Sequence, residues 1–190
     1  EAGLVNGVIY HDGQFDDSRL AINLAQTIWE NSGVALNYVK VTGLLKNENG
    51  LLSGASLLDI ETKSTYAIKA KAIVNATGVF VDDILNMDKP GSDKTICVSQ
   101  GVHLVLDKSF HPSADALMIP ETSDGRVLFA VPWHDKVVVG TTDTPVEEAS
   151  LEPTALEKEI NFILETAGAY FKKKPQRSDV LSVFAGLRPL

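Results

Sequence analysis

The stretch at residues 72–78 constrains the fold more than any other part of the sequence. Its residues are Ala-Ile-Val-Asn-Ala-Thr-Gly, an apolar run too continuous for a strand with one solvated face. Strands of this kind belong to mostly parallel sheets that helices cover on both faces. The run ends in Asn75, Ala76, Thr77 and Gly78, at the place where open α/β sheets bind ligands. A tight strand-to-helix turn without a ligand would need the same glycine, so the motif alone leaves the question of a site open.

The first half of the chain otherwise predicts one helix and several antiparallel strands. Asp16 and Asp17 are suited to cap a helix that ends near Gly33, and its apolar residues recur at helical spacing: Leu20, Ala21, Leu24, Ala25, Ile28 and Trp29. Strands are predicted at residues 4–10, 38–45, 51–60 and 65–68, with turns at 47–50 and 62–63. Because Asn-Gly is the strongest short-range hairpin signal, the last three strands are predicted to form an antiparallel meander.

The second half of the chain is richer in strands. It opens with a predicted short helix at residues 79–87 and a connection at 89–92 that is suited to a change of domain. Strands are then predicted at residues 95–106, 116–120, 127–132, 137–141 and 179–184. One helix interrupts them, starting at a capping box of Thr154 and Glu157 and running to Phe171. The predicted fold class is therefore a mixture of α/β and α+β.

Composition and charge exclude several classes of function. The net charge of −8 argues against a nucleic-acid partner, because phosphate binding needs a surplus of Lys and Arg. No apolar run approaches the roughly 20 residues of a membrane-spanning helix. Cys97 has no second cysteine with which to form an internal disulfide, and no two histidines have metal-ligand spacing on one helix, so no metal site is expected. The chain starts without Met and stops after an apolar run, and we expect it to be a fragment.

Two single residues are candidates for chemistry. His103 lies in a predicted strand on the same face as Gly101, and histidine is the side chain best suited to exchange a proton near neutral pH. A histidine with a purely structural role is the alternative. Arg188 offers a permanently charged fork suited to anions, and a structural ion pair is its alternative. The polar run at residues 140–143 is attributed to the end of a strand.

Six stretches, taken in order, resemble one family. They are residues 10–20 (YHDGQFDDSRL), 74–78 with 81–82, 100–105 (QGVHLV), 129–133 (FAVPW), 140–143 (GTTD) and 186–190 (GLRPL). Together they resemble the FAD-dependent glycerol-3-phosphate dehydrogenases and oxidases, within the amino-acid-oxidase-like flavoenzymes. The resemblance implies part of an FAD-binding Rossmann-like domain interleaved with a substrate domain on a mixed β-sheet. It implies a substrate-domain strand at residues 1–13, part of the FAD-binding domain with the meander at 14–88, and the substrate-binding domain at 89–190.

The resemblance also implies a reaction and a site. Such enzymes oxidise sn-glycerol 3-phosphate to dihydroxyacetone phosphate and pass a hydride from C2 to FAD. His103 is implied to hydrogen-bond or deprotonate the C2 hydroxyl, and Arg188 to hold the substrate oxygen beside the flavin. The implied contacts with FAD, besides Arg188, come from Val41, Ala76, Thr77 and Gly78.

Several expectations follow from the same resemblance. The glycine-rich loop that grips the phosphates of FAD would lie outside this chain, so the chain alone is predicted to bind no FAD and to turn over no substrate. The electron acceptor is quinone or oxygen, a homodimer is one possible assembly, and the expected location is cytoplasmic or peripheral on the inner face of the cell membrane. Two other functions stay open: an amine or amino-acid oxidase, and a non-catalytic interaction module derived from this fold.

Overall fold

A computed structural model describes residues 6–120, 122 and 125–190 of the chain. These residues fall into two compact units, Ala2–Asn75 and Ala76–Leu190. Helices and antiparallel sheets occur in both units, and the mixed fold class is confirmed. Among the described residues, no helix combines the length and the apolar character needed to span a bilayer.

The first unit contains one helix and a three-stranded sheet. Its elements are α1 (Asp17–Glu30), β1 (Val39–Lys46), β2 (Leu52–Asp59) and β3 (Thr65–Lys69). The Asp16 carboxylate accepts the backbone N–H of Arg19 at 3.0 Å, so the predicted N-cap is confirmed. The helix ends at Glu30, and the residue with left-handed backbone beyond it is Ser32 (φ 62°) rather than the predicted Gly33.

The meander β1-β2-β3 is antiparallel throughout, as predicted. Asn47 organises the first turn because its side-chain oxygen accepts the N–H groups of Asn49 and Leu51 at 3.0 Å each. Gly50 follows at φ 76°, a conformation that glycine adopts at no steric cost. The local turn chemistry therefore specifies this sheet.

Two predicted strands are wrong. Residues 6–10 are exposed and form no strand, whereas Leu4 and Val5 lie outside the described residues. Residues 72–77 also form no strand, and the Val74 side chain is 87% exposed. An extended segment becomes a strand only when a neighbouring strand hydrogen-bonds to it, and no described strand pairs with either segment.

The second unit contains a six-stranded sheet and two helices. A 3₁₀ turn at Gly78–Phe80 leads into α2 (Val81–Asp88). The strands and the second α-helix are β4 (Val98–Asp107), β5 (Leu117–Ile119), β6 (Leu128–Trp133), β7 (Lys136–Gly140), β8 (Thr144–Val146), α3 (Glu157–Tyr170) and β9 (Ser182–Pro189). The short β8 was not predicted from the sequence.

Strand β4 is the centre of this sheet. It pairs with β7 and β8 along one edge and with β9 along the other, always antiparallel. Its alternate residues Val102, Leu104 and Leu106 are fully buried in a core with the apolar residues of α3, which include Ile160, Ile163, Leu164 and Ala167. Helix α3 therefore covers one face of the sheet.

Helix α3 begins later than the sequence predicts. It is preceded by Leu156, whose backbone N–H donates to the Glu159 carboxylate at 2.8 Å. The predicted cap at Thr154 is therefore wrong, since the acidic partner three residues into the helix is Glu159.

The division into units falls between Asn75 and Ala76, ahead of the connection at residues 89–92. Helix α2 thus belongs to the same unit as the six-stranded sheet. The assignment of residues 14–88 to a flavin domain and of 89–190 to a substrate domain stays a prediction.

Candidate active site

The register of β4 and β9 places both predicted catalytic residues on one face of the sheet. Arg188 pairs with Ser99, Gly186 with Gly101, and Phe184 with His103. Directly paired residues of antiparallel strands point to the same face, and the face repeats every second residue. His103 and Arg188 therefore share the face opposite to α3, about 13 Å apart along the strand direction.

The Arg188 side chain lies over Gly101 and so extends along the strand toward His103. A Cβ atom at Gly101 would collide with Nη2 of Arg188 and would lie 2.6 Å from the hydroxyl oxygen of Thr141. Nη2 of Arg188 donates to the Thr142 carbonyl at 2.7 Å and to the Thr141 hydroxyl at 3.1 Å. Nη1 lies 3.5 Å from the Asp143 carboxylate. The missing side chain at position 101 gives the guanidinium its place.

A second glycine makes room for His103. The imidazole stacks on the ring of Phe184, with centroids 5.0 Å apart and planes inclined by 11°. Gly140 pairs with His103 from the neighbouring β7, and a Cβ atom there would collide with the imidazole. His103 is therefore held between an aromatic ring on one strand and bare backbone on the other.

The predicted flavin-binding turn lies beside the strand that carries Arg188. Residues of the 3₁₀ turn Gly78–Phe80 come within 8 Å of β9, measured between Cα atoms. Ala76, Thr77 and Gly78 are exposed, Gly78 has φ 56°, and a Cβ atom on it would meet nothing within 4 Å. This backbone is open to close approach by a ligand, as a contact with the flavin requires.

The start of α2 limits which part of FAD fits this turn. Asp82 and Asp83 lie in the first turn of the helix, where their charges oppose an anion. Asp82 is engaged by Thr95, whose hydroxyl donates at 2.5 Å, and this hydrogen bond lowers the pKa of the carboxyl. These two charges therefore disfavour a phosphate group close to the turn at residues 76–78.

Val41 belongs to the first unit, whereas the residues above belong to the second. It is half-buried in β1, pairs with Leu57, and precedes an irregularity of the ladder between Val41 and Gly43. Its predicted backbone contact with the adenine stays a prediction.

Sequence reasoning missed the run at residues 141–143, which it attributed to strand termination. Thr142 connects the two faces of the sheet at this point. Its carbonyl accepts Arg188 on one face, while its hydroxyl donates at 3.0 Å to Glu159 of α3 on the other. The signal was in the sequence, because three polar side chains in succession after an apolar strand offer more hydrogen-bonding groups than a turn needs.

Glu159 is a buried carboxylate with several donors. It is 3% exposed and accepts hydrogen bonds from Thr144 (2.6 Å), Gln100 (2.8 Å), Thr142 (3.0 Å) and the Leu156 N–H (2.8 Å). Burial raises the pKa of Glu159, but the hydrogen bonds from Thr144, Leu156, Gln100 and Thr142 outweigh it, and the pKa lies below its usual value. Glu159 is thus an ionised anchor beneath the segment that holds Arg188.

The part of the chain that the structure describes contains no cluster of side chains that could bind a metal ion. No group of three or more His, Cys, Asp or Glu side chains is arranged there to hold an ion.

A family model described as FAD dependent oxidoreductase matches residues 1–190. The chain belongs to this family. Among curated members, the mitochondrial glycerol-3-phosphate dehydrogenase of Schizosaccharomyces pombe is 40% identical over 100% of this chain and 31% of its own length. That of Homo sapiens is 36% identical over 98% of this chain and 26% of its own. The chain therefore spans between about a quarter and a third of the length of these curated relatives.

Two solved structures are similar to this chain. The glycerol-3-phosphate dehydrogenase from Bacillus halodurans complexed with FAD is 36% identical and superposes with a TM-score of 0.85, over 92% of this chain and 35% of that one. The L-alpha-glycerophosphate oxidase from Mycoplasma pneumoniae has a TM-score of 0.65 at 20% identity, over 88% of this chain and 42% of that one, and shows the shared fold alone.

Proposed function

We propose that the protein containing this chain oxidises sn-glycerol 3-phosphate to dihydroxyacetone phosphate. The observation that carries the proposal is that His103 and Arg188 share one face of β4 and β9, with the turn Gly78–Phe80 beside β9. The names of the relatives support the substrate, because those described above at 36–40% identity are glycerol-3-phosphate dehydrogenases. FAD, when bound, accepts the hydride that leaves C2 of the substrate.

The two side chains take complementary parts in this reaction. His103 accepts the proton of the C2 hydroxyl, since imidazole titrates near neutral pH. Arg188 donates hydrogen bonds to the same oxygen and stabilises its negative charge as C2 loses the hydride. The electron pair leaves with the hydride and the proton goes to His103, so the alcohol becomes a ketone.

The cofactor contacts, the acceptor and the location belong to the same proposal. Arg188 and the backbone at Ala76, Thr77 and Gly78 would hold the flavin when FAD is bound, and the backbone of Val41 would meet the adenine. The proposed electron acceptor is quinone or oxygen. The proposed location is cytoplasmic or peripheral on the inner face of the cell membrane, and a homodimer is the proposed assembly.

Anaerobic reduction by glycerol 3-phosphate of the longer protein that contains this chain, loaded with FAD, tests the proposal. Loss of flavin absorbance is followed by stopped flow for the unchanged protein, Arg188→Ala and His103→Gln. We expect either substitution to slow reduction by about 10²-fold or more. Arg177→Ala is the matched control, because Arg177 is exposed and pairs with Glu157 at the surface. Reduction at the unchanged rate in Arg188→Ala would remove the proposed role of Arg188.

An amine or amino-acid oxidase is the second enzymatic candidate. Its supporting observation is the fold, since the glycine oxidase from Bacillus cereus superposes with a TM-score of 0.64 at 16% identity. A panel of amino acids and amines in the same stopped-flow assay separates the two: the present proposal requires flavin reduction by glycerol 3-phosphate and none by the panel.

The non-catalytic candidate makes the opposite prediction for Arg188. An interaction module would keep its partner when Arg188 becomes Ala, and it would show no flavin reduction with any substrate. The arrangement of His103 and Arg188 over glycines favours the enzyme, because a binding module has no need for it.

A further inference from the structure

We propose that Asp143, together with Thr141 and Thr142, positions the Arg188 guanidinium for the reaction. The inference rests on the proposed function, because it assigns these residues a role through Arg188. None of the three was singled out by the resemblance as a site residue. Here they are called the 141–143 clamp.

The contacts of the clamp fix the orientation of the guanidinium in its plane. Both hydrogens of Nη2 are used, one by the Thr142 carbonyl at 2.7 Å and one by the Thr141 hydroxyl at 3.1 Å. Asp143 holds the other amino group, Nη1, at 3.5 Å. A guanidinium has five N–H donors, so with Nη2 engaged a substrate oxygen must bond either the hydrogen on Nε or a hydrogen on Nη1, which lie on different sides of the group. The clamp therefore decides which edge of Arg188 faces the substrate.

Strand β4 holds Asp143 in place as well as Arg188. The Ser99 hydroxyl donates to the Asp143 carboxylate, and Ser99 is 1% exposed and pairs with Arg188 in the β4–β9 ladder. One buried residue of the central strand, Ser99, therefore contacts the Asp143 carboxylate and also pairs with Arg188. A carboxylate held in this way constrains the cation more than a mobile surface partner would.

The Asp143–Arg188 ion pair is better suited to orient the guanidinium than to stabilise the fold. The Asp143 and Arg188 side chains are 37% and 41% exposed, and ion pairs with this much solvent contribute little to stability. Orientation is a different matter, because a donor displaced by about an ångström from the reacting oxygen loses much of its effect on rate. Removal of the Asp143 charge should therefore change the reaction more than the fold.

The first test compares Asp143→Asn and Thr141→Val with Glu148→Gln in the FAD-loaded protein. All three substitutions nearly conserve size, and Glu148 is an exposed carboxylate five residues beyond Asp143. We expect Asp143→Asn to lower the limiting rate of anaerobic flavin reduction about fivefold and Thr141→Val about threefold, with the thermal midpoint and the flavin content unchanged. Glu148→Gln should equal the unchanged protein. A fall in rate only in proportion to lost folded or FAD-loaded protein would show a structural role and overturn the inference.

The second test restores the missing cation chemically. Arg188→Ala leaves a space bordered by Thr141, Thr142 and Asp143, and added guanidinium ion should occupy it and recover part of the activity. Adding Asp143→Asn to Arg188→Ala should raise the guanidinium concentration needed for half-recovery about fivefold, since the carboxylate that attracts the ion is gone. Adding Glu148→Gln should leave that concentration unchanged.

The outcomes separate the inference from the function on which it rests. If Arg188→Ala reduces flavin at the unchanged rate, the proposed function of Arg188 fails. In a second outcome, flavin reduction is slow in Arg188→Ala but keeps its normal rate in Asp143→Asn, and Asp143→Asn does not change the guanidinium concentration needed for rescue. The proposed function then stands, and the clamp is overturned. Slow reduction in Asp143→Asn with weaker rescue in the double variant is the result that the clamp requires.

Discussion

The two units of this chain contain the same kinds of elements but differ in how far their apolar side chains are buried. In Ala76–Leu190, helix α3 and the six-stranded sheet bury a continuous core around Leu104, Ile119 and Leu128. In Ala2–Asn75, no described residue of α1 is buried, and the exposed apolar side chains of the helix include Leu24 at 57% and Trp29 at 56%. Among the described residues, the buried hydrophobic cluster belongs entirely to the second unit.

This difference extends to the candidate active site. His103 and Arg188 belong to the unit with the core, and their surroundings come from strands that the core fixes in place. Val41 belongs to the unit without such a core, in a sheet whose buried positions among the described residues are Gly54 and Ala55. A side chain can be oriented to a fraction of an ångström only when its supports are themselves packed. The supports that orient His103 and Arg188 therefore come from within the packed second unit.

The largest expected effect tests the difference in packing. Leu104→Ala removes a fully buried side chain and should destabilise the protein by about 3 kcal/mol, through lost burial and the cavity left behind. Leu24→Ala makes the same chemical change at an exposed position and should cost less than about 1 kcal/mol. Denaturant unfolding of the chain gives both values. Equal losses would show that α1 is covered and that the comparison between the units is wrong.

The second prediction tests the space over β4. Gly101→Ala places a methyl group against the Arg188 guanidinium and should lower the rate of flavin reduction by about 10²-fold, the effect of losing one transition-state donor. Gly186→Ala is the matched control, since Gly186 pairs with Gly101 and its added methyl would meet nothing within 4 Å. Stopped-flow reduction of the FAD-loaded variants measures the effect. A slow Gly186→Ala variant would show that the strand, and not the space for Arg188, is sensitive.

The third prediction concerns the buried anchor of the second unit. Glu159→Gln removes the charge that accepts four hydrogen bonds and should destabilise the segment around residues 154–160 by about 2 kcal/mol. Faster amide hydrogen exchange in that segment measures the loss. Glu157→Gln is the control, because Glu157 lies in the same first turn but pairs with Arg177 at the surface.

The same residue sets a pH dependence. The folded pKa of Glu159 is lowered, so its contribution to stability is fully present above the unfolded value of about 4.3 and is lost as the pH falls through the folded pKa. The protection factors of the amides around residues 154–160, which correct for the slower chemical exchange at low pH, should therefore fall in acid in the unchanged protein, and less so in Glu159→Gln. An equal acid dependence in both proteins would show that other carboxylates cause it.

The elements that the sequence predicts well are those specified by neighbouring residues. The cap at Asp16 and the Asn47 turn involve side chains that bond to backbone a few residues away, so the sequence alone contains the whole interaction. The prediction of a short apolar strand at residues 72–78 was wrong for the opposite reason. Whether such a segment enters a sheet depends on its pairing with a distant strand. Apolar character shows what a segment would bury and not where its partner is.

The candidate site divides along the same line. The placement of His103 and Arg188 on one face follows from alternation along each strand, together with a register that no local pattern gives. The 141–143 clamp was missed because its role depends on contacts with a residue 46 or 47 positions away in sequence. The roles of Gly101 and Gly140 could not be predicted from the sequence either. Each makes room for a side chain on a neighbouring strand: Gly101 for Arg188, and Gly140 for His103.

The smallest expected effect lies in the unit without a hydrophobic core. Asp16→Ala removes the side-chain acceptor at the start of α1 and should destabilise that helix by about 1 kcal/mol. Because none of the described residues of α1 is buried, we expect the loss to remain local: amide exchange should accelerate in the first turn of α1 while that of β4 is unchanged. Asp17→Asn is the control, because Asp17 is acidic in the same turn without making the capping bond, and its loss should cost only a few tenths of a kcal/mol. If Asp16→Ala accelerates exchange in β4 as well, α1 and the six-stranded sheet unfold as one cooperative unit, and the contrast between the two regions does not extend to their stability.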